Sequence, residues 1–169
     1  MLAATGLLFV AREARRGASL SPGSRAPDFR LPVLAGGEQE LAALRGRLVL
    51  VNFWATWCPP CVAELPSLER LHRSLGPEGL VVLGVSVDED ESALRRFVRE
   101  HGLTFPMLRD PGGRGTAAAY GIGGYPETLI VGPDGVVLES YRGPAQWDTP
   151  GALAHLRGRL ASLSASPTR

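Results

Sequence analysis

Two runs of the chain, Leu48–Trp54 (LVLVNFW) and Leu80–Val87 (LVVLGVSV), are almost wholly apolar and built from strand-forming residues. A strand with one wet face alternates polar and apolar positions, whereas a strand covered on both faces does not. Each run therefore predicts a central strand sandwiched between helices. Elsewhere the apolar period lengthens. Val62, Leu65, Leu68, Leu71 and Leu75 form one helical stripe that Gly76-Pro77 stops, and Leu94, Phe97, Val98 and His101 repeat at helical spacing up to Gly102. Strands of this kind alternating with helices predict an α/β fold around a partly parallel sheet.

The flanks add smaller elements. Phe29, Leu31 and Val33 alternate with polar or Pro positions, Gly36-Gly37 makes a turn, and Glu38–Leu41 returns, so an N-terminal hairpin is expected. A short helical stretch is expected over 114–120. Thr128–Val131 and Val136–Tyr141 flank Gly132-Pro133-Asp134-Gly135, a turn tetrad that predicts a second hairpin. The last helix is expected over 148–163, with Leu153, Leu156, Leu160 and Leu163 inward. A chain of 169 residues, 44% of them apolar, buries roughly 70% of its unfolded surface as one domain. That domain is expected over 25–163, followed by a flexible tail over 164–169. Met1–Ala11 is apolar and precedes Arg12, Arg15 and Arg16. Its length of about 17 Å as a helix falls short of the roughly 30 Å hydrocarbon core. Residues 1–24 are accordingly expected to be the remnant of an export signal or membrane anchor that starts upstream, continued by a Gly/Ser/Pro linker.

Charge and cysteine usage exclude several functions. Eighteen cations face 17 anions, for a net charge of +1, which is no electrostatic footprint for nucleic acid. Every cation is Arg; with no Lys in the chain, Schiff-base and P-loop chemistry are ruled out. The two cysteines, Cys58 and Cys61, are spaced C-x-x-C. A structural zinc site needs four ligands, and His72, His101 and His155 are scattered singly. A c-type haem site would need His where Val62 stands. One short bridge cannot staple a chain of this length. Redox chemistry is what remains.

The pair lies between a buried strand and a helix. Cys58 falls where the helix begins, so its sulfur faces unpaired backbone N–H groups and the positive end of the helix dipole. Lowering a thiol pKa from about 8.5 to about 7 raises the thiolate fraction at pH 7 from roughly 3% to roughly 50%. Cys61 lies inside the first turn, more buried and within bonding reach.

The stretch Val51–Pro66 (VNFWATWCPPCVAELP) resembles the thioredoxin superfamily, in particular its TlpA/ResA-like branch of extracytoplasmic thiol–disulfide oxidoreductases. The likeness covers about residues 25–163 and includes the Gly124-Tyr125-Pro126-Glu127-Thr128 loop. It implies a three-layer thioredoxin-like fold with a central mixed sheet, the N-terminal hairpin and a βα insertion around 81–105. It also implies that Pro126 is a cis-proline beside the sulfurs and that Pro66 kinks the active-site helix. Members of the branch carry a glutamate at Glu64 that looks like a proton acceptor for the pair. Ordinary cytoplasmic thioredoxins place an aspartate where Asn52 stands; Asn takes no proton, which moves that task to Glu64. The catalytic residues expected are Cys58, Cys61 and Glu64, with Trp57, Pro59, Pro60, Tyr125 and Pro126 forming the substrate side. Trp54 reads as core, and His72, His101 and Glu127 read as helix surface, helix C-terminal cation and loop surface.

The expected reaction is two-step thiol–disulfide exchange with no cofactor beyond the Cys58–Cys61 disulfide and no metal. The resemblance implies a monomer in the periplasm or on the outer face of the membrane. It would act on protein disulfides, such as those of apocytochrome c or copper-site assembly proteins, and draw on an upstream membrane thiol reductant. Two alternatives belong to other classes. A peroxiredoxin-like peroxidase needs a P-x-x-x-[ST]-x-x-C pattern, but Val51 and Trp54 occupy the proline positions. A redox-inactive thioredoxin-fold binding module would leave disulfides untouched.

Overall fold

The computed structural model describes residues 19–164. Residues 1–18 of the expected anchor remnant and linker (1–24), and residues 165–169 of the expected tail (164–169), lie outside them. The elements run β1 (Arg30–Pro32), β2 (Glu38–Glu40), β3 (Leu48–Trp54), α1 (Pro59–Leu75), β4 (Leu80–Ser86), α2 (Glu91–Glu100), β5 (Met107–Arg109), α3 (Thr116–Ala119), β6 (Glu127–Val131), β7 (Val137–Arg142) and α4 (Pro150–Ser164). Five strands form one mixed sheet in the order β5-β4-β3-β6-β7; β3, β4 and β5 are parallel, while β6 and β7 run antiparallel to their neighbours.

β3 is the centre strand, and all seven of its residues are buried, as its unbroken apolar run requires. Successive side chains leave on opposite faces. On one face Asn52 reaches Glu64 of α1 and Trp54 packs against Phe97 of α2. On the other, Phe53 packs against Tyr120 at the end of α3, and the Tyr120 hydroxyl donates to the Pro27 carbonyl. The sheet is thus the middle of the three layers anticipated. The continuous cover over β3 and β4 comes from Leu65, Leu68, Leu71 and Leu75, the stripe of α1, each at most 1% exposed.

Two features depart from the reading of the sequence. β5 was not anticipated: three residues are too few to show a period, and the strand exists because β4 and Val33 pair with it. Residues 19–26 do not behave as a linker. Gly23 N–H donates to the Val137 carbonyl at 2.8 Å, Val137 N–H to Ser24, and Ala26 N–H to Gly135. Ser19 and Ala26 are buried. This segment covers the start of edge strand β7, while Leu34 N–H bonds to Met107 on edge strand β5. Exposed sheet edges carry unpaired backbone groups that invite aggregation; the N-terminal part of the domain covers backbone at both.

Candidate active site

β3 ends at Trp54, and four residues on the chain enters α1 with Cys58 as its N-cap, in extended conformation, followed by Pro59 and Pro60 in the first turn. Proline suits these positions because their N–H groups have no intrahelical partner. The consequence for the sulfur is specific. With both prolines lacking an N–H, the amide that reaches Cys58 Sγ is that of Cys61, at 3.3 Å. The two cysteines are joined by a disulfide with an S–S distance of 2.10 Å and Cα atoms 5.3 Å apart. Cys61 is fully buried and Cys58 5% exposed, with exposed Pro59 and Pro60 beside them.

The turn that presents Cys58 is clamped by a residue the sequence did not single out. Asp88, just past β4, accepts from Thr56 N–H at 3.0 Å, from Thr56 Oγ1 at 2.6 Å and from Ser86 Oγ at 2.7 Å. Asp88 is itself buried. Its place in an acidic run (Asp88-Glu89-Asp90) disguises it as surface charge.

Glu64 is only 1% exposed. Its position three residues beyond Cys61 puts the two on one helical face. Asn52 Nδ2 donates to Oε1 at 2.7 Å; Ala145 N–H and Trp147 Nε1–H donate to Oε2 at 3.0 and 3.3 Å. Burial pushes the carboxyl pKa up, opposed by the hydrogen bonds from Ala145, Asn52 and Trp147. Asn52 also donates to Thr128 Oγ1 at 2.9 Å, across the β3–β6 pair. The Asn52–Glu64 pairing therefore exists in space, whereas a solvated glutamate does not. Nothing in the sequence marks Ala145 or Trp147, which lie some 80 residues away on a loop with no motif.

The opposite wall comes from the loop before β6. Tyr125–Pro126 is a cis peptide. Phe53 pairs with Glu127 in antiparallel register, so Pro126 stands opposite Trp54, at the end of β3 that feeds Cys58. The Tyr125 ring meets Trp57 edge-on with centroids 6.0 Å apart. Trp57 is 64% exposed, the one large exposed apolar side chain among the described residues. Trp54, by contrast, is fully buried. His101 caps α2, as expected of a helix-terminal residue, and His72 is half-buried with its ring against Phe105.

Glu127 corrects the reading as loop surface. It is 2% exposed, accepts from the Ser19 hydroxyl and has Arg142 Nε at 3.6 Å. As the first residue of a strand next to the cis bond, its side chain is carried inward by the pleat. Ser19, Tyr125, Pro126, Glu127 and Arg142 line a cleft of about 400 Å³ on this side. Among the described residues no group of acidic, His or Cys side chains could hold a metal ion, and no helix is long and apolar enough to cross a membrane.

The chain is similar to several known proteins. Residues 22–140 match the AhpC/TSA family. The thiol-disulfide oxidoreductase ResA of Geobacillus thermodenitrificans is 36% identical over 143 residues, covering 85% of this chain and 82% of that protein. The thioredoxin-like protein YneN of Bacillus subtilis is 38% identical over 127 residues, 73% of each. Among solved structures, a secreted Mycobacterium tuberculosis disulfide oxidoreductase homologous to E. coli DsbE superimposes with a TM-score of 0.62 at 28% identity, covering 79% of this chain and 95% of that one. The chain belongs to the AhpC/TSA family, among its thioredoxin-like thiol–disulfide oxidoreductases.

Proposed function

We propose that the chain reduces protein disulfides outside the cytoplasm by cycling Cys58 and Cys61 between dithiol and disulfide. Cys58 thiolate attacks one sulfur of a client disulfide; that S–S bond breaks, the client's other sulfur leaves as a thiolate, and a mixed disulfide forms. Cys61 gives its proton to Glu64, and the resulting thiolate attacks Cys58 Sγ, releasing the client's second sulfur. Two electrons pass to the client, and the enzyme leaves as the disulfide seen here. An upstream thiol reductant, expected at the membrane, must return those electrons. Trp57, Pro59, Pro60, Tyr125 and Pro126 form the surface on which the client segment lies. An extracytoplasmic location agrees with the secreted relative. Apocytochrome c and copper-site assembly proteins are the client classes proposed, met by the enzyme as a monomer.

The observation that carries the reducing direction is the single amide at Cys58 Sγ. A couple becomes oxidising when its thiolate is strongly stabilised; with Pro59 and Pro60 removing two N–H donors, the stabilisation here is modest. Equilibration against thiol redox buffers should give a potential near the thioredoxin value of about −270 mV, and a value near the DsbA figure of about −120 mV refutes the direction. Cys61→Ser should stall with the client bound to Cys58, and recovery of no adduct from envelope extracts counts against the role.

A further inference from the structure

Glu64 is gripped from two sides, neither of them on the helix that carries Cys61. From the sheet comes Asn52. From the other side comes the segment 143–149, between β7 and α4, which supplies both donors to Oε2: Ala145 N–H and Trp147 Nε1–H. This segment is docked along α1 as a seam. Ser67 Oγ donates to the Glu64 carbonyl at 2.8 Å and accepts from the backbone N–H of Trp147 at 3.2 Å. Arg70 Nε meets Asp148 at 2.5 Å. Glu64, Ser67 and Arg70 are spaced i, i+3 and i+6, so they form one row on the helix. Trp147 is 4% exposed, and its ring is wedged edge-on against Tyr141 with centroids 5.1 Å apart. The indole N–H therefore has a fixed direction.

We propose that Trp147, with the backbone N–H of Ala145, is a positioning element for thiol–disulfide exchange: its hydrogen bond favours the carboxylate form of Glu64 and fixes the orientation in which it meets the proton that Cys61 releases. The inference rests on the reading of Glu64 as proton acceptor given above. A buried indole N–H needs an acceptor, and a backbone carbonyl would satisfy it without consequence for chemistry. Here it is directed at a carboxylate that forms no salt bridge among the described residues. The groups around that carboxylate are uncharged: Asn52 from β3, Thr128 of β6 behind it, Ser67 on α1, and Ala145 and Trp147 from the loop. Cys61 is the titrating neighbour on its own helix, and the Arg70–Asp148 pair closes the outer end of the seam. With no cation to offset burial, the anion depends on neutral donors. Two of the three come from this loop.

The test uses the full chain with its glutamate carboxyls labelled with 13C, comparing wild type with Trp147→Phe, Ala145→Pro and Glu64→Gln. Trp147→Phe keeps a ring and deletes the N–H. It should raise the midpoint of the Glu64 carboxyl signal by about one pH unit, the worth of one hydrogen bond to a charged group. The acidic limb of turnover on a protein disulfide should move by the same amount, while the high-pH plateau is kept. A merely structural tryptophan would lower the melting temperature and leave both midpoints in place, and that result overturns the inference. Should Trp147→Phe not fold, Ala145→Pro removes the other donor and must move the same midpoints upward; unmoved midpoints there overturn it equally. Glu64→Gln separates the two claims. If it keeps the wild-type acidic limb, Glu64 is not the proton acceptor and the role of Trp147 falls with it; if the limb vanishes while Trp147→Phe leaves it unmoved, only the present inference fails.

Discussion

Asp88 offers the sharpest quantitative check on how the site is held. Its carboxylate receives three hydrogen bonds of 3.0 Å or less from the Thr56 amide, the Thr56 hydroxyl and the Ser86 hydroxyl, and it is 5% exposed. Asp88→Ala leaves all three donors without their acceptor. A hydrogen bond to a charged group is worth roughly 1.5–3 kcal/mol, but removing the aspartate also removes a buried charge, and water can reach half-buried Thr56, so the net loss should be about 3 kcal/mol. For a domain of this size that is a fall in Tm of about 6–12 °C. Asp88→Asn keeps the shape and one acceptor oxygen, and should cost about half as much. Urea titration of the oxidised protein measures both variants. Because Thr56 lies two residues before Cys58, the reduced Asp88→Ala protein should also show an altered rate of Cys58 alkylation relative to wild type at the same pH. A loss below about 0.5 kcal/mol, the range of ordinary surface substitutions, together with unchanged alkylation, would refute the claim that this carboxylate anchors the turn.

Three further outcomes are expected. Because burial raises the Glu64 pKa above its unfolded value, the native state binds its proton more tightly; the associated stability is present below about pH 4.3 and is lost as pH rises through the folded pKa. Glu64→Gln should therefore gain stability relative to wild type between pH 4 and neutrality in denaturant titrations, and an equal difference at both ends contradicts the assignment. A Cβ on Gly84 would stand 2.6 Å from Met107 Sδ and 2.9 Å from Phe105 Cε2, so Gly84→Ala should cost about 1–3 kcal/mol by overpacking; a neutral urea midpoint rules this out. Trp57→Ala, at a site 64% exposed, should change stability by less than about 0.5 kcal/mol yet slow reduction of a protein disulfide far more than of a small one, and equal slowing of both would remove Trp57 from the client surface.

How far the chain could be read depended on whether a property is local. The run Leu48–Trp54 and the stripe from Val62 to Leu75 announce their elements because periodicity and turn residues act over a few positions, and β3 and α1 carry these limits with little change. The junction between them places Cys58 and Cys61 by covalent proximity, and the family likeness supplied the cis form of Pro126. β5 shows the opposite case, since Met107–Arg109 is a strand only because β4 and Val33 lie alongside. Ser19–Ala26 has the composition of a linker, yet backbone hydrogen bonds depend on what is adjacent rather than on side-chain type, and the start of β7 recruits it.

The site divides along the same line. The order of residues in the chain determined by itself that two cysteines meet at the mouth of a helix, with two prolines that leave one amide for the sulfur. Only the tertiary structure decided the surroundings: that Glu64 is buried, that Asn52 and the distant Trp147 grip it, that Asp88 clamps the turn, and that Glu127 turns inward beside Pro126. Desolvation and hydrogen bonding depend on which atoms are near in space, and those atoms come from strands and loops tens of residues apart.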